Sequence, residues 1–124
     1  MTRKILLVDD SATVLMMEKM ILASERFQLV TAANGEEAQE RARQELPDLI
    51  LMDVVMPKMN GIEACRALKR DPITKHIPII LVTTRGEAES LEAGYSSGCN
   101  DYVTKPVNSA ELLSKVRNLL GARQ

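Results

Sequence analysis

Six polar residues stand where short apolar runs end. Asp9 and Asp10 follow Ile5-Leu6-Leu7-Val8, Asp53 follows Leu49-Ile50-Leu51-Met52, Thr83 and Thr84 follow Ile79-Ile80-Leu81-Val82, and Lys105 closes Tyr102-Val103-Thr104. Continuous apolar runs suit strands covered on both faces, hence a parallel sheet, and such sheets bind ligands beyond the carboxyl ends of their strands. Three carboxylates, a hydroxyl and an ammonium are therefore expected at one rim. Carboxylates gathered there repel one another, which raises their pKa values or demands a cation. Oxygen-only ligands favour a hard ion, and Mg²⁺ fits because it needs few carboxylates and keeps waters that a phosphate can replace. A carboxylate such as that of Asp53 can also act as a nucleophile toward phosphorus. Taken singly, an Asp at a strand end is a solvated loop residue, Lys105 a surface charge and Thr83 a β-branched strand residue; the combination is what points to chemistry.

The elements that would bring these residues together are legible. Strands are expected at β1 near 4 to 8, β2 near 28 to 32, β3 near 48 to 53, β4 near 78 to 83 and β5 near 101 to 104. Helical spacing fills the intervals at α1 near 12 to 24, α2 near 35 to 45, α3 near 61 to 70, α4 near 87 to 96 and α5 near 109 to 120. In α5, Leu112, Leu113, Val116, Leu119 and Leu120 form one amphipathic face. Asn34, Asn60 and Asn108 each precede a Glu by three residues, the signature of a capped helix start, and Ser11 can cap α1. Leu46-Pro47 and Asp71-Pro72 supply stops. Strict β/α alternation implies a doubly wound sheet with helices on both faces.

Composition narrows the function classes. The 124 residues make one domain, read as 1–124 with a core near 3–121 and without an output domain. Sixteen Lys and Arg against seventeen Asp and Glu leave a net charge of −1, which argues against nucleic acid or an anionic bilayer as partner. With 2% aromatic residues and no Trp, stacking platforms for bases or flavins are hardly available. The apolar run at the N-terminus is too short for a signal peptide or a span, and Cys65 and Cys99 form no CxxC pair, so a cytoplasmic location with reduced thiols is expected. His76 lacks partner ligands and reads as a loop residue.

At this point the chain resembles a response-regulator receiver domain, the CheY-like fold of two-component signalling. The resemblance is carried by Asp9-Asp10 in LLVDDS, Asp53 in LMDVVMPKMNG, Thr83 in ILVTT and Lys105-Pro106 in DYVTKP, in order and at similar spacings. It implies a five-stranded, flavodoxin-like (βα)5 sheet of strand order 2-1-3-4-5. It further implies that Asp53 is the phosphoacceptor, and that Asp9 and Asp10, directly or through water, hold Mg²⁺ with Asp53 and the backbone carbonyl of Val55. Lys105 and Thr83, with a backbone N–H after Asp53, would meet the phosphoryl oxygens. Pro57 and Gly61 match the family's loop, and Lys105-Pro106 is expected to be cis.

The implied donor is a phosphohistidine on a sensor histidine kinase or phosphotransfer protein. The implied output is a switch of Thr83 and Tyr102 that reshapes the α4-β5-α5 face for a downstream protein, in a monomer. Catalysis would be confined to its own aspartate. Resemblance to stand-alone chemotaxis-like and motility regulators is the hint of pathway. The alternative is a phosphorylation-independent receiver acting as an interaction module. A Mg²⁺-dependent phosphatase would need a DxD spacing and a cap, and an FMN carrier would need donors where Asp9 to Thr13 is acidic.

Less typical residues carry further expectations. In α1, Val14, Met17 and Ile21 are expected in the core, Met16 and Met20 on an open flank, with plain core packing preferred for the methionines over a partner surface. Cys65 is expected to be buried in α3. Thr84, Val55 and Arg85 surround the approach to the acceptor, and an altered self-hydrolysis is expected from them.

Overall fold

A computed structural model of the chain describes residues 2–56, 59–84 and 95–121, with only the backbone of Thr84. Five strands, β1 (Lys4–Val8), β2 (Gln28–Ala32), β3 (Leu49–Asp53), β4 (Ile79–Thr84) and β5 (Asp101–Lys105), alternate with α1 (Ala12–Leu22), α2 (Gly35–Glu45), α3 (Gly61–Arg70) and α5 (Ser109–Gly121). All pairings are parallel and the order is β2-β1-β3-β4-β5, as expected. The expected α4 falls mainly outside the described residues; its last two, Tyr95 and Ser96, are helical.

The three central strands β1, β3 and β4 carry unbroken apolar runs because both faces of the sheet are covered there, whereas the edge strands β2 and β5 are mixed in sequence and only partly buried. Leu6, Val8, Ile50, Met52, Ile79 and Leu81 pack with Ala38 and Ala42 of α2 and Ala64, Cys65 and Leu68 of α3. Their alternates Ile5, Leu7, Leu49, Leu51, Ile80, Val82 and Val103 pack with Leu22 of α1 and Leu112, Val116 and Leu120 of α5. Period-two alternation within each strand thus feeds two separate cores.

Helix starts follow the capping logic. Asn34, Asn60 and Asn108 each accept the backbone N–H of the Glu three residues on, at 2.9 Å, and at Asn60 the Glu63 carboxylate accepts in return. Ser11 accepts from Val14 N at 3.3 Å. At the other end of α2, Leu46 takes a left-handed conformation (φ 47°) so that its N–H can still reach Ala42 O. Lys69, half-buried in α3, donates to Ile77 O at 2.7 Å and Asn100 Oδ1 at 2.9 Å, tying together the segments that lead into β4 and β5. Burial lowers the Lys69 pKa.

Helix α1 departs from expectation. Met17 is exposed, as are Met16 and Met20, at 44%, 63% and 71%, so core packing does not hold for the three methionines. The residues α1 buries fully are Glu18 and Leu22, with Leu15 and Ile21 packed alongside. Residues 14 to 17 and 20 to 22 are all apolar, so periodicity could not select the inward face. No described helix is long and apolar enough to cross a membrane.

Candidate functional site

The carboxyl ends of β1, β3 and β5 meet at one rim. Asp9 follows β1 and donates its N–H to Ala32 O, Asp53 is the last residue of β3, and Lys105 the last of β5. Ligand oxygens of Asp9, Asp10 and Asp53 lie within 4.8 Å of one another. The Lys105 ammonium stands 3.3 Å from Asp53 Oδ1 and 3.7 Å from Asp9 Oδ2. Asp9 and Asp53 are buried and Asp10 is exposed, so the cluster opens outward on one side. Thr83, one residue before the end of β4, is buried; Val82 pairs with Asp53 and Thr84 with Lys105 in the sheet register, which fixes β4 between the two charged strand ends.

Electrostatics follow from burial of like charges. Burial raises the pKa of Asp9 first, and Asp10 adds to it, against the opposing Ser11 N–H and Lys105. Burial, then Asp9, raises that of Asp53, against Lys105 and the backbone N–H of Val55. For Lys105 burial works downward, but Asp53 and Asp9 outweigh it and the pKa is raised. One ammonium thus offsets part of the repulsion among three carboxylates. Asp9 Oδ1 accepts from Ser11 N at 2.9 Å, whereas buried Asp9 Oδ2 has no hydrogen-bond partner. An all-oxygen donor set with an orphaned carboxylate oxygen fits a hard divalent cation held by Asp9, Asp10 and Asp53.

The loop after Asp53 doubles back over it. Val54 N donates to Val82 O, Gly61 N donates to Val54 O, and a Cβ at Gly61 would lie 2.1 Å from Asp53 O, so the return demands glycine. Val55 projects its side chain outward, 64% exposed. Pro57 and Arg85 lie outside the described residues. The Lys105-Pro106 peptide is cis, as expected.

Tyr102 is half-buried on β5, edge-on to Tyr95 with centroids 5.6 Å apart. Lys115 of α5 sits 4.9 Å from the centre of the Tyr102 ring, donates to Tyr102 O and pairs with Asp101 at 3.2 Å. Sequence reasoning missed Lys115, whose partners lie on another element. Cys65 is buried as expected, and burial raises both thiols, Cys99 to about 11. His76 is an exposed loop residue.

Glu18 was also missed. It is 2% exposed, its Oε1 has no hydrogen-bond partner, and burial first, then Asp9, pushes its pKa up to about 8. Its signal was position: a charged residue between Leu15 and Leu22 on one helix face.

Residues 5–117 match the response regulator receiver domain family. The chain is 38% identical to the phosphate regulon transcriptional regulatory protein PhoB of Rhizobium meliloti, over 97% of this chain and 53% of that protein. It is 41% identical to protein PilH of Pseudomonas aeruginosa, over 94% of this chain and 97% of that protein. The chain spans about half of PhoB and about a quarter of the response regulator PleD of Caulobacter vibrioides. Among solved structures, the chemotaxis response regulator CheY4 of Vibrio cholerae superposes with a TM-score of 0.88 at 32% identity, covering 96% of this chain and 99% of that one. The receiver domain of sensor histidine kinase PA1611 from P. aeruginosa, which carries a magnesium ion in its active-site cleft, superposes at 0.90 and 29% identity, covering 98% and 99%.

Proposed function

This chain belongs to the response regulator receiver domain family, and we propose that it is a phosphorylation-operated switch whose acceptor is Asp53. The observation that carries the reading is the Lys105 ammonium bridging Asp53 and Asp9 beside a third carboxylate, Asp10. Phosphoryl transfer depends on positioning and on neutralising charge, and these residues supply both.

In the proposed reaction a carboxylate oxygen of Asp53 attacks the phosphorus of a phosphohistidine on a sensor kinase or phosphotransfer protein. The P–N bond breaks, the imidazole leaves with the electron pair, and an aspartyl phosphate forms. Lys105, already 3.3 Å from Asp53 Oδ1, holds Asp53 ionised against its raised pKa and lies within reach of a phosphoryl oxygen. The Thr83 hydroxyl takes another. Asp9, Asp10 and Asp53, with the Val55 carbonyl, would hold Mg²⁺, which supplies countercharge to the carboxylates and the phosphoryl oxygens. Pro57, Gly61 and Pro106 serve as structural residues; the close return at Gly61 supports its part.

Output is proposed to run through Thr83 and Tyr102 to the α4-β5-α5 face. An aspartyl phosphate biases an existing equilibrium and so changes affinity for a protein target. A monomeric, cytoplasmic regulator of a chemotaxis-like or motility system is the reading supported by likeness to PilH over nearly its whole length and to CheY4. Thr84, Val55 and Arg85 are proposed to alter phosphate loss, and an unchanged rate in Val55→Asn with Arg85→Glu refutes that part.

Intact-mass spectrometry after incubation with acetyl phosphate and Mg²⁺ tests the reading. One phosphoryl adduct, lost in Asp53→Asn and with EDTA, is expected. No adduct, together with failure to bind beryllofluoride, would overturn it in favour of a phosphorylation-independent interaction module.

A further inference from the structure

Lys115 takes no part in the proposed phosphoryl transfer, yet it stands against the ring of Tyr102. That ring packs with the core layer covered by α2 and α3, whereas α5 covers the opposite side of the sheet. Because β5 is an edge strand, Lys115 of α5 can reach round it, and its ammonium lies 4.9 Å from the ring centre. This is inside the roughly 6 Å over which a cation is drawn to an aromatic face. Tyr95 meets the same ring edge-on, with the planes 85° apart and the centroids 5.6 Å apart, a favoured aromatic geometry.

The ammonium is anchored by groups that do not turn with the ring. It donates to Tyr102 O and, at 3.2 Å, to Asp101 Oδ1. Asp101 Oδ1 also accepts the Tyr102 N–H at 2.8 Å, so the carboxylate is itself tied to the backbone beside it. Rotation of the Tyr102 side chain leaves all three of these bonds in place. Turning the ring away from Lys115 therefore forfeits the attraction between cation and ring and returns nothing at the ammonium. The side chains of Lys115 and Asp101 are only 25% and 31% exposed, so water replaces the lost contact incompletely.

We propose that Lys115 is a positioning residue for Tyr102: a latch on α5 that holds the ring in its observed place and sets the ratio between that place and any other. This rests on Tyr102 being the output switch, as described above. A phosphoryl group that biases the ring toward a second position works against the latch. Coupling is reciprocal, so while the second position is the minor one, releasing the latch raises affinity for a phosphoryl mimic by the same factor that it raises the minor population. An attraction of this kind is worth about two- to five-fold in that ratio.

The test is made on the full chain carrying tyrosine labelled with ¹³C in the ring. The sequence has two tyrosines, so Tyr95→Phe assigns the Tyr102 signal. Relaxation dispersion of that signal measures the population of a second ring position. It is expected to rise about two- to five-fold in Lys115→Gln, which keeps a hydrogen-bond donor, and in Lys115→Met, which keeps the apolar stem, and to stay at the wild-type value in Lys115→Arg, which keeps the charge. Beryllofluoride affinity in the presence of Mg²⁺, followed by amide shifts, is expected to tighten by the same factor in the Gln and Met variants alone. Equal ring populations in all four proteins, or a rise in Lys115→Arg as well, overturn the latch. A ring that is released without any change in beryllofluoride affinity overturns its link to the switch. No beryllofluoride binding in any of the proteins refutes the phosphorylation reading, and the ring populations then decide the latch by themselves.

Discussion

Replacing Glu18 by Leu should stabilise the protein, and by an amount that depends on pH. The folded state keeps Glu18 protonated up to a pKa of about 8, whereas an unfolded chain ionises it at the ordinary 4.5. Between those values the folded state binds the extra proton, so stability falls as pH rises. Each unit of pKa difference corresponds to about 1.4 kcal/mol. In the wild type the cost is absent below pH 4.5, reaches about 3 kcal/mol at pH 7 and levels off above pH 8 at about 5 kcal/mol. Leucine is close to glutamate in volume and apolar, and position 18 is buried on the same helix as Leu22, so the replacement adds no void and removes an unsatisfied oxygen. Urea unfolding followed by far-UV circular dichroism at pH 5, 6, 7 and 8 measures the difference between the two proteins. The advantage of Glu18→Leu should widen by roughly 1 kcal/mol per unit across that range. A difference that stays constant with pH, or a less stable variant at pH 7, would show that Glu18 folds as an anion and refute the argument.

Three further outcomes follow from single features. In Gly61→Ala the new methyl meets Asp53 O, and the loop must move away from the acidic cluster; a loss of about 1–3 kcal/mol in the urea midpoint analysis is expected, and an unchanged midpoint would mean the loop yields freely. Leu46→Gly relieves a left-handed residue whose side chain is mostly exposed, so melting temperature should rise by the equivalent of about 1 kcal/mol, and a fall would show that the Leu46 side chain matters more than its backbone. Lys69→Met removes the donor to Ile77 O and to Asn100 Oδ1, and a cost of about 1–3 kcal/mol is expected, with faster amide exchange at the start of β4; unchanged exchange at Ile79 would refute the clamp.

The fold was legible because β1, β3 and β4 are covered on both faces and so carry unbroken apolar runs, while the caps at Asn34, Asn60 and Asn108 mark helix starts locally. The acidic cluster was legible for a related reason: Asp9, Asp53 and Lys105 stand at strand ends, and parallel topology carries strand ends to a common rim. What sequence could not show depended on a choice of face or on a contact between distant elements. Helix α1 is apolar on nearly every side, so its sequence does not single out Glu18 and Leu22 as the residues it buries. A lone glutamate reads as surface until the helix is docked. Lys115 likewise gains its meaning only from Asp101 and Tyr102, which another element brings beside it.

The two suppressed thiols make this chain a clean background for site-directed labelling. Cys65 and Cys99 stay protonated at neutral pH because burial disfavours their thiolates, and the thiolate is the species that alkylates. A cysteine placed at Met20, on the open side of α1, would therefore react with maleimide well ahead of either native thiol. Since the sequence contains no Trp, a probe attached there would also report without competing indole emission. Partner binding along that helix could then be followed by fluorescence in the otherwise unaltered protein.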